Sequence, residues 1–287
     1  MMLYVKHSAQ MCNRLWALTP ALAYALHKRK RLYVLFAKKD YIDCFPNLKT
    51  SKYIKFLFSH NSSSPLSLEW RLALISEKYN LEVDGDLRDI IDVGGLSFID
   101  GWQHSSDYSY ITEQRVEIVK LFEPDTFVVN RVKGYFKDYK GITVGLHIRR
   151  GDYKDYLGGK YFYPDDVYLK IIDRLRTQIV REGKNVRFII CSNDSFAIPT
   201  TYSDVFSIRE SNGITDLYAL SCSDYIIGPP SSYSQWASFY GNVPLYVLLN
   251  AEVEVDIDDF SRIVTFNRFE NGRQLFLNED KQEYYFV

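Results

Sequence analysis

The sequence has few residues that bind metals or form disulfides, and those present are not clustered. It contains four cysteines and five histidines, with no CxxC pair and no spacing typical of a zinc or haem site. They are Cys12, Cys44, Cys191 and Cys222, and His7, His27, His60, His104 and His147. Dispersed cysteines favour free thiols in a reducing compartment, so we expect a cytoplasmic protein without a structural metal.

The sequence also lacks a charge excess and an apolar run of membrane length. Lys plus Arg is 35 and Asp plus Glu is 36, so the net charge of −1 disfavours nucleic-acid binding, which usually needs a basic excess. The apolar residues 15–26 (LWALTPALAYAL) are fewer than the roughly 20 needed to span a bilayer. Basic residues 28–31 follow them instead of a small-residue cleavage site. We therefore expect a buried helix, and neither a signal peptide nor an integral membrane segment.

Acidic pairs of the DxD type, which hold metal ions in some enzymes, occur only as loose matches. They are residues 84–86 (DGD) and 256–258 (DID), and neither follows a strong strand. Such matches arise easily by chance in a chain with 36 acidic residues. We expect no metal cofactor.

Apolar patterning predicts an α/β protein. In the first part it predicts strands at 3–5 and 32–36, a buried helix at 15–26, and a helix at 112–122 capped by Thr112. In the second part it predicts strands at 142–148, 186–191, 205–208, 225–228 and 243–249. It also predicts three helices, of which the first begins at Pro164 and the others cover residues 216–221 and 231–240. Alternating strands and helices favour a parallel sheet covered on both faces, which binds ligands at the carboxyl ends of its strands.

Two adjacent arginines, Arg149 and Arg150, follow the strand at 142–148. The planar guanidinium group binds phosphate oxygens in a bidentate way. One arginine can therefore face the crevice, while the other pairs with a carboxylate such as Asp152. An ordinary surface turn with ion pairs is the alternative interpretation.

Small polar residues follow two other predicted strands. Residues 192–195 (SNDS) can bind a ribose or cap the next helix, and capping is the simpler interpretation. Ser231 and Ser232 begin a predicted helix, whose N–H groups form an anion site or a plain N-cap. An arginine and a helix N-terminus at neighbouring strand ends together predict a clamp for a diphosphate.

Four segments, in order along residues 100–245, resemble the family 11 fucosyltransferases, typified by bacterial α-1,2-fucosyltransferases. Residues 147–153 (HIRRGDY) resemble the motif HxRRGDY, and residues 100–104 (DGWQH) resemble the "GxxQ…YF" segment. Residues 188–194 (FIICSND) resemble the "FSDD" strand end. Residues 216–236 resemble the block DLxxMSxCxHxIIxNSTFSWW.

This resemblance implies a GT-B-like fold with two Rossmann-like domains facing a cleft. Residues 1–138 would form an acceptor-side domain, and residues 139–287 a nucleotide-sugar domain with a doubly wound parallel sheet. The implied reaction is a metal-independent transfer of L-fucose, with inversion, from GDP-fucose to a glycan acceptor in carbohydrate biosynthesis. The implied partners are GDP-fucose and that glycan. Where the acceptor is membrane-bound, the protein would associate with it weakly.

The resemblance also implies roles for single residues. Arg149 would bind the diphosphate, with His147 near the donor and Asp216 on guanine. The hydroxyls of Ser231 and Ser232 would contact phosphate, and Asp194 would complete the donor site. For the catalytic base, position in the sequence rather than the resemblance offers two candidates, Asp152 and Asp155, which lie in the turn after the arginine pair, and a structural ion pair is the alternative role of Asp152.

One departure from the family concerns its glycine-rich loop, GGLGNQ/R. The matching residues 7–14 (HSAQMCNR) keep Asn13 but none of the glycines, which permit close backbone approach. Asn13, Arg14 and Gln103 are the residues predicted on the acceptor side. Three alternatives stay open: α-1,2 transfer to galactose, use of another GDP-sugar, and a non-catalytic relative that binds GDP or a glycan.

Overall fold

The structure is a computed structural model, and it describes residues 2–5, 10–35, 42–57, 85–86, 92–93, 96–100, 104–105, 109–252, 254–270 and 273–286. The chain forms two compact units. The first comprises Met1–Asp125, Thr265–Leu277 and Glu283–Tyr285, and the second comprises Thr126–Val264, Asn278–Gln282 and Phe286–Val287. The first segment of the first unit ends at Asp125, and the unit also includes two C-terminal segments, whereas the sequence analysis placed a single boundary at residue 138.

The first unit contains a five-stranded sheet with the order β3-β2-β1-β6-β5. Its strands are β1 (Met2–Val5), β2 (Leu32–Leu35), β3 (Ile54–Leu57), β5 (Asp92–Val93) and β6 (Leu96–Asp100), with β4 (Gly85–Asp86) and β7 (His104–Ser105) paired separately. Its helices are α1 (Met11–His27), α2 (Pro46–Thr50) and α3 (Ser109–Leu121). β1 pairs in parallel with both β2 and β6.

Helix α1 is apolar on all sides, as expected of a helix in a core. Leu15, Trp16 and Leu22 are fully buried, and Trp16 packs edge-on against Phe276 with ring centroids 5.0 Å apart. The helix begins at Met11, four residues before the predicted start. Neither glycine nor proline interrupts residues 11–14, so nothing stops the helix from extending. Similarly, α3 begins at Ser109, and the prediction that Thr112 caps it is wrong.

The second unit contains the predicted parallel sheet. Its strands are β8 (Ile142–Ile148), β9 (Val186–Ser192), β10 (Val205–Phe206), β11 (Tyr225–Gly228) and β12 (Pro244–Val247). They have the order β10-β9-β8-β11-β12, and every neighbouring pair is parallel. Sequence patterning missed the C-terminal strands β13 (Ser261–Glu270), β14 (Arg273–Asn278) and β15 (Glu283–Phe286). β13 pairs antiparallel with β12.

The helices of the second unit are α4 (Thr126–Phe136), α5 (Asp165–Arg181), α6 (Gly213–Ser221) and α7 (Ser232–Gly241). Helix α5 follows Pro164, as predicted, and its stripe Val167, Ile171 and Leu175 is buried. This stripe belongs to the same core cluster as Val144, Leu146 and Ile148 of β8. None of the helices in the described ranges is long and apolar enough to cross a membrane.

Candidate active site

The strand order of the second sheet reverses at β8. The chain runs from β8 outward to β9 and β10, and then returns to the other side of β8 to form β11 and β12. In open α/β sheets such a switch point leaves a crevice at the carboxyl ends of the strands, where ligands bind. A cavity of about 310 Å³ lies here. It is lined by His147, Arg149, Cys191, Ser192, Asn193, Ser211, Asn212, Gly213, Asp216 and Tyr233.

His147 is a neutral, buried side chain in the wall of this cavity. Its pKa falls to about 3, mainly because burial disfavours the charged imidazolium and secondly because Arg149 is near. Its ring lies 4.8 Å from that of Tyr233, and its Nδ1 has no hydrogen-bond partner among the described residues. A neutral imidazole can hydrogen-bond a ligand, but the positive charge of the site must come from Arg149.

The position of His147 depends on the absence of a side chain at Gly228 in β11. A Cβ atom there would lie 2.8 Å from the Cβ of His147 and 2.9 Å from its backbone oxygen. We expect Gly228→Ala to lower the free energy of unfolding by about 1–3 kcal/mol, as overpacking usually does, and to weaken nucleotide binding. Denaturant unfolding and calorimetric titration with GDP would measure both effects.

Gly134 in α4 is the matched control, because a Cβ added there has no neighbour within 4 Å. Gly134→Ala should be neutral or slightly stabilising, since alanine favours helix by up to about 1 kcal/mol. A Gly228→Ala protein as stable as the wild type would contradict this account of the His147 wall.

Arg149 is the arginine that lines the cavity. Its Nη2 donates to the Asp152 carboxylate at distances of 2.8 and 3.0 Å, and its Cζ lies 5.5 Å from the Tyr153 ring. Asp152 is about half exposed, in the short 3₁₀ turn Gly151–Lys154. The structure therefore brings together both residues predicted to be catalytic.

Arg150 is buried and has a different role. It forms an ion pair with Asp165, donates to the backbone oxygen of Tyr163, and lies over the ring of Phe162 at 5.0 Å. The expected ion pair of the second arginine is confirmed, but Asp165 is its partner. Asp152 pairs instead with the arginine in the cavity.

Asp216 supplies a buried carboxylate to the cavity from the first turn of α6. It is 7% exposed, and burial raises its pKa to about 6, partly opposed by a hydrogen bond with Ser211. Its Oδ1 has no hydrogen-bond partner in the part of the chain that the structure describes. Because an unpaired buried acceptor is costly, this oxygen is suited to a ligand that donates hydrogen bonds.

The two predicted serines lie at the start of helix α7, and neither lines the cavity. Ser231 is the N-cap, with its Oγ accepting the N–H of Tyr233 at 3.3 Å, and Ser232 is the first helical residue. The capping interpretation therefore applies to Ser231, and phosphate binding by both residues stays a prediction. Sequence reasoning missed Tyr233, which extends from this helix into the cavity wall.

The loop after β9 places Asn193, rather than Asp194, at the cavity. Asp194 is exposed, and its Oδ1 accepts the N–H of Ser195 at 2.7 Å, as a turn-forming aspartate does. Asn193 Oδ1 accepts the N–H of Arg150 at 2.7 Å and so joins the ends of β8 and β9. Donor binding by Asp194 stays a prediction.

The predicted acceptor residues lie in the first unit. Asn13 and Arg14 belong to the first turn of helix α1, so the expectation that they lie in a loop is wrong. Gln103, like residues 7–9 of the glycine-loop counterpart, lies outside the described residues.

Of the two loose DxD matches, residues 256–258 are described in full and residues 84–86 only in part. Asp256 caps the short turn Ile257–Asp259 through the N–H of Asp258, and Asp84 lies outside the described residues. Within the described ranges, no group of three or more His, Cys, Asp or Glu side chains could hold a metal ion. None of the four cysteines, all of which lie in the described ranges, forms a disulfide bond.

Comparison with solved structures shows the fold. A NodZ α-1,6-fucosyltransferase soaked with GDP-fucose is 15% identical, with a TM-score of 0.53 over 90% of this chain and 96% of that one. The fucosyltransferase NodZ from Bradyrhizobium is 13% identical, with a TM-score of 0.54 over 86% and 94%. A mutant of Arabidopsis thaliana FUT1 in complex with GDP is 13% identical, with a TM-score of 0.54 over 98% and 77%. The predicted GT-B-like α/β fold is confirmed.

Comparison of the sequence with models of protein families identifies the family of this chain. No curated protein sequence matches the chain significantly. Residues 102–253, more than half of the chain, match Glycosyl transferase family 11. The chain therefore belongs to glycosyl transferase family 11 and is a glycosyltransferase.

Proposed function

We propose that the protein transfers L-fucose from GDP-fucose to a hydroxyl group of a glycan, with inversion at the anomeric carbon. The observation that carries this proposal is the presence of Arg149 and the buried Asp216 carboxylate in one cavity at the switch point of the sheet. A cationic group and a hydrogen-bond acceptor with a spare oxygen match the two ends of a guanosine diphosphate.

Asp216 is suited to guanine among the common bases. Guanine has two adjacent donors, N1–H and the 2-amino group, whereas adenine has an acceptor at N1 and uracil has its single N–H between two carbonyls. A carboxylate accepts two parallel hydrogen bonds, which are stronger than neutral ones. The relatives soaked with GDP-fucose or bound to GDP support the same donor for this chain.

Arg149 and the N-terminus of α7 would neutralise the leaving diphosphate. The guanidinium fork binds phosphate oxygens, and the dipole of a ten-residue helix favours an anion at its N-terminus. Asp152, held against Arg149, is the candidate base that takes the acceptor proton. Its ion pair also supports the simpler role of orienting Arg149.

The donor assignment is tested by measuring GDP or UDP release from GDP-fucose, GDP-mannose and UDP-galactose, with and without galactose-terminated saccharides. We expect acceptor-stimulated release from GDP-fucose alone. Turnover of GDP-mannose would instead support the same scaffold acting on another GDP-sugar. Tight GDP binding without release from any donor would support a non-catalytic binding protein. Cytoplasmic location, metal independence and association with a membrane-bound acceptor stay predictions.

The affinity for GDP should fall as the pH falls below about 6. The pKa of Asp216 is raised to about 6 by burial, so its carboxyl is ionised above that pH and protonated below it. Protonation removes an acceptor, and the dissociation constant should rise about tenfold per pH unit. Calorimetric titration between pH 5 and 8 measures this slope.

Asp216→Asn is the control for this slope, because the phosphates of GDP also titrate in this range. The variant should bind GDP about 10- to 100-fold more weakly at pH 7.5, since charge-assisted hydrogen bonds contribute about 1.5–3 kcal/mol. Its remaining pH dependence should be that of GDP alone. Equal slopes in the wild type and the variant would contradict a role for Asp216 in guanine binding.

The same substitution should stabilise the unliganded protein. Because the pKa of Asp216 is raised in the folded state, the unfolded chain loses this proton at a lower pH than the folded protein does. Ionisation of Asp216 therefore lowers the free energy of unfolding progressively between about pH 4 and pH 6, and the full loss persists at higher pH. Asparagine has no such cost, and the free energy of unfolding at pH 7 should rise by about 1–3 kcal/mol.

A further inference from the structure

The segment that follows the arginine pair exposes one aromatic side chain. Residues 153–163 (YKDYLGGKYFY) contain five aromatic residues, of which Tyr153, Tyr161 and Tyr163 are buried and Phe162 is partly buried. Tyr156 is 46% exposed, and its neighbour Leu157 is 45% exposed. Exposed apolar side chains grouped on a loop beside a site commonly mark a binding surface.

Among the described residues, the ring of Tyr156 stacks against one aromatic ring. It lies against Tyr153, with ring centroids 5.3 Å apart and planes inclined by 29°. Tyr153 is in turn fixed, because its hydroxyl donates to the backbone oxygen of Pro230 and its ring lies 5.5 Å from Arg149 Cζ. Because Tyr156 is 46% exposed, its other face is accessible, and it stacks on a ring that also contacts Arg149.

The backbone of this segment is left-handed at the three residues that follow Tyr156. Leu157, Gly158 and Gly159 have φ angles of 51°, 66° and 78°. A left-handed conformation is costly for leucine, and a Cβ at Gly159 would lie 3.0 Å from the backbone oxygen of Lys154. Strain of this kind persists where the surrounding structure enforces it, most often at functional sites.

We infer that Tyr156, with Leu157, is the platform on which the acceptor saccharide stacks; this inference rests on the proposed function. A sugar ring has an apolar C–H face and hydroxyl edges. The exposed tyrosine ring matches that face, and the polar side chains Asp152, Lys154 and Asp155, which precede it in the same segment, are also exposed. A single aromatic residue with a polar rim is too small for a stable protein interface, which buries about 800 Å² per partner.

The test replaces Tyr156 with alanine and compares acceptor-dependent with acceptor-independent GDP release from GDP-fucose. We expect the KM for a galactose-terminated acceptor, such as N-acetyllactosamine, to rise about tenfold, as expected for loss of an aromatic stack. Hydrolysis without acceptor and the KM for GDP-fucose should stay within about twofold. Tyr156→Phe should behave as the wild type, because it keeps the ring.

Tyr135 offers a matched control. It is also partly exposed and stacked on an aromatic ring, that of Phe206, but it lies on helix α4 and not in the segment that follows the arginine pair. Tyr135→Ala should leave the acceptor KM unchanged. An unchanged acceptor KM in Tyr156→Ala, or an equal loss of donor hydrolysis, would overturn the platform.

Direct binding distinguishes failure of this inference from failure of the proposed function. Saturation-transfer NMR with N-acetyllactosamine needs no turnover. If the wild type does not release GDP from GDP-fucose, the proposed function fails, and the platform is judged by this signal alone. A signal lost in Tyr156→Ala and kept in Tyr135→Ala supports it. No signal from the wild type, or an equal signal in Tyr156→Ala, overturns it.

Discussion

Replacing Arg149 with alanine should reduce kcat/KM for acceptor-stimulated GDP release by about 100- to 1,000-fold, while the protein stays folded. The guanidinium lines the cavity, where it would stabilise the charge that develops on the departing diphosphate. Its carboxylate partner, Asp152, is 53% exposed, and exposed ion pairs contribute only about 0–1 kcal/mol to stability. The melting temperature should therefore change little.

Lysine at position 149 should restore only part of the activity, because it keeps the charge and loses the bidentate fork. Lys170→Ala provides a control for the loss of an ion pair, since Lys170 pairs with Asp166 on the exposed face of α5. That variant should turn over GDP-fucose at the wild-type rate. Near-normal turnover by Arg149→Ala would remove this residue from the mechanism.

Replacing the adjacent Arg150 should instead destabilise the fold. Alanine there removes the ion pair with Asp165, the hydrogen bond to Tyr163 and the contact with Phe162, all at a side chain that is 7% exposed. Breaking a fully buried pair costs about 3–5 kcal/mol, and because the Asp165 side chain is 36% exposed, we expect a cost near the lower end of this range. We expect a large fall in the urea midpoint, measured by circular dichroism.

The part of Arg150→Ala that remains folded should still bind GDP with nearly wild-type affinity, since Arg150 does not line the cavity. This outcome separates a structural role from a catalytic one. A variant of normal stability that has lost turnover would show that the roles assigned to the two arginines are reversed.

The sequence predicted the second unit well because its core strands are local apolar runs. The bounds of β8 and β11 are those predicted, since each is a β-rich segment followed directly by a polar turn or proline. The apolar stripe of α5 identified its buried face in the same way. The C-terminal strands were missed although their signal is local, since β13, β14 and β15 are sequential neighbours in the sheet and residues 271–272 (NG) are typical of a hairpin turn.

The resemblance assigned the cavity to Arg149, whereas residue types alone left open which arginine faces it, although the strand pattern contains a signal that decides it. Val144, Leu146 and Ile148 of β8 face the core that includes α5, so the period of two places His147 on the opposite face. The alternation continues past the strand end, with Arg149 on the side of His147 and Arg150 on the side of Ile148. The structure shows this arrangement.

Other parts of the site depend on tertiary structure. The contact of Tyr233 with His147 depends on how helix α7 packs. The burial of Asp216 Oδ1 depends on how helix α6 packs against β8 and β9. Asp194 and Asn193 are adjacent polar residues, and only the backbone of the turn decides which one lines the cavity. Residue type alone could not separate them.

The most direct test is an experimental structure of the protein with GDP-fucose. We expect guanine N1 and the 2-amino group within about 3 Å of the Asp216 carboxylate, and diphosphate oxygens within hydrogen-bond distance of Arg149. A nucleotide bound elsewhere, or bound in this cavity with its base away from Asp216, would contradict the assignment of the donor site.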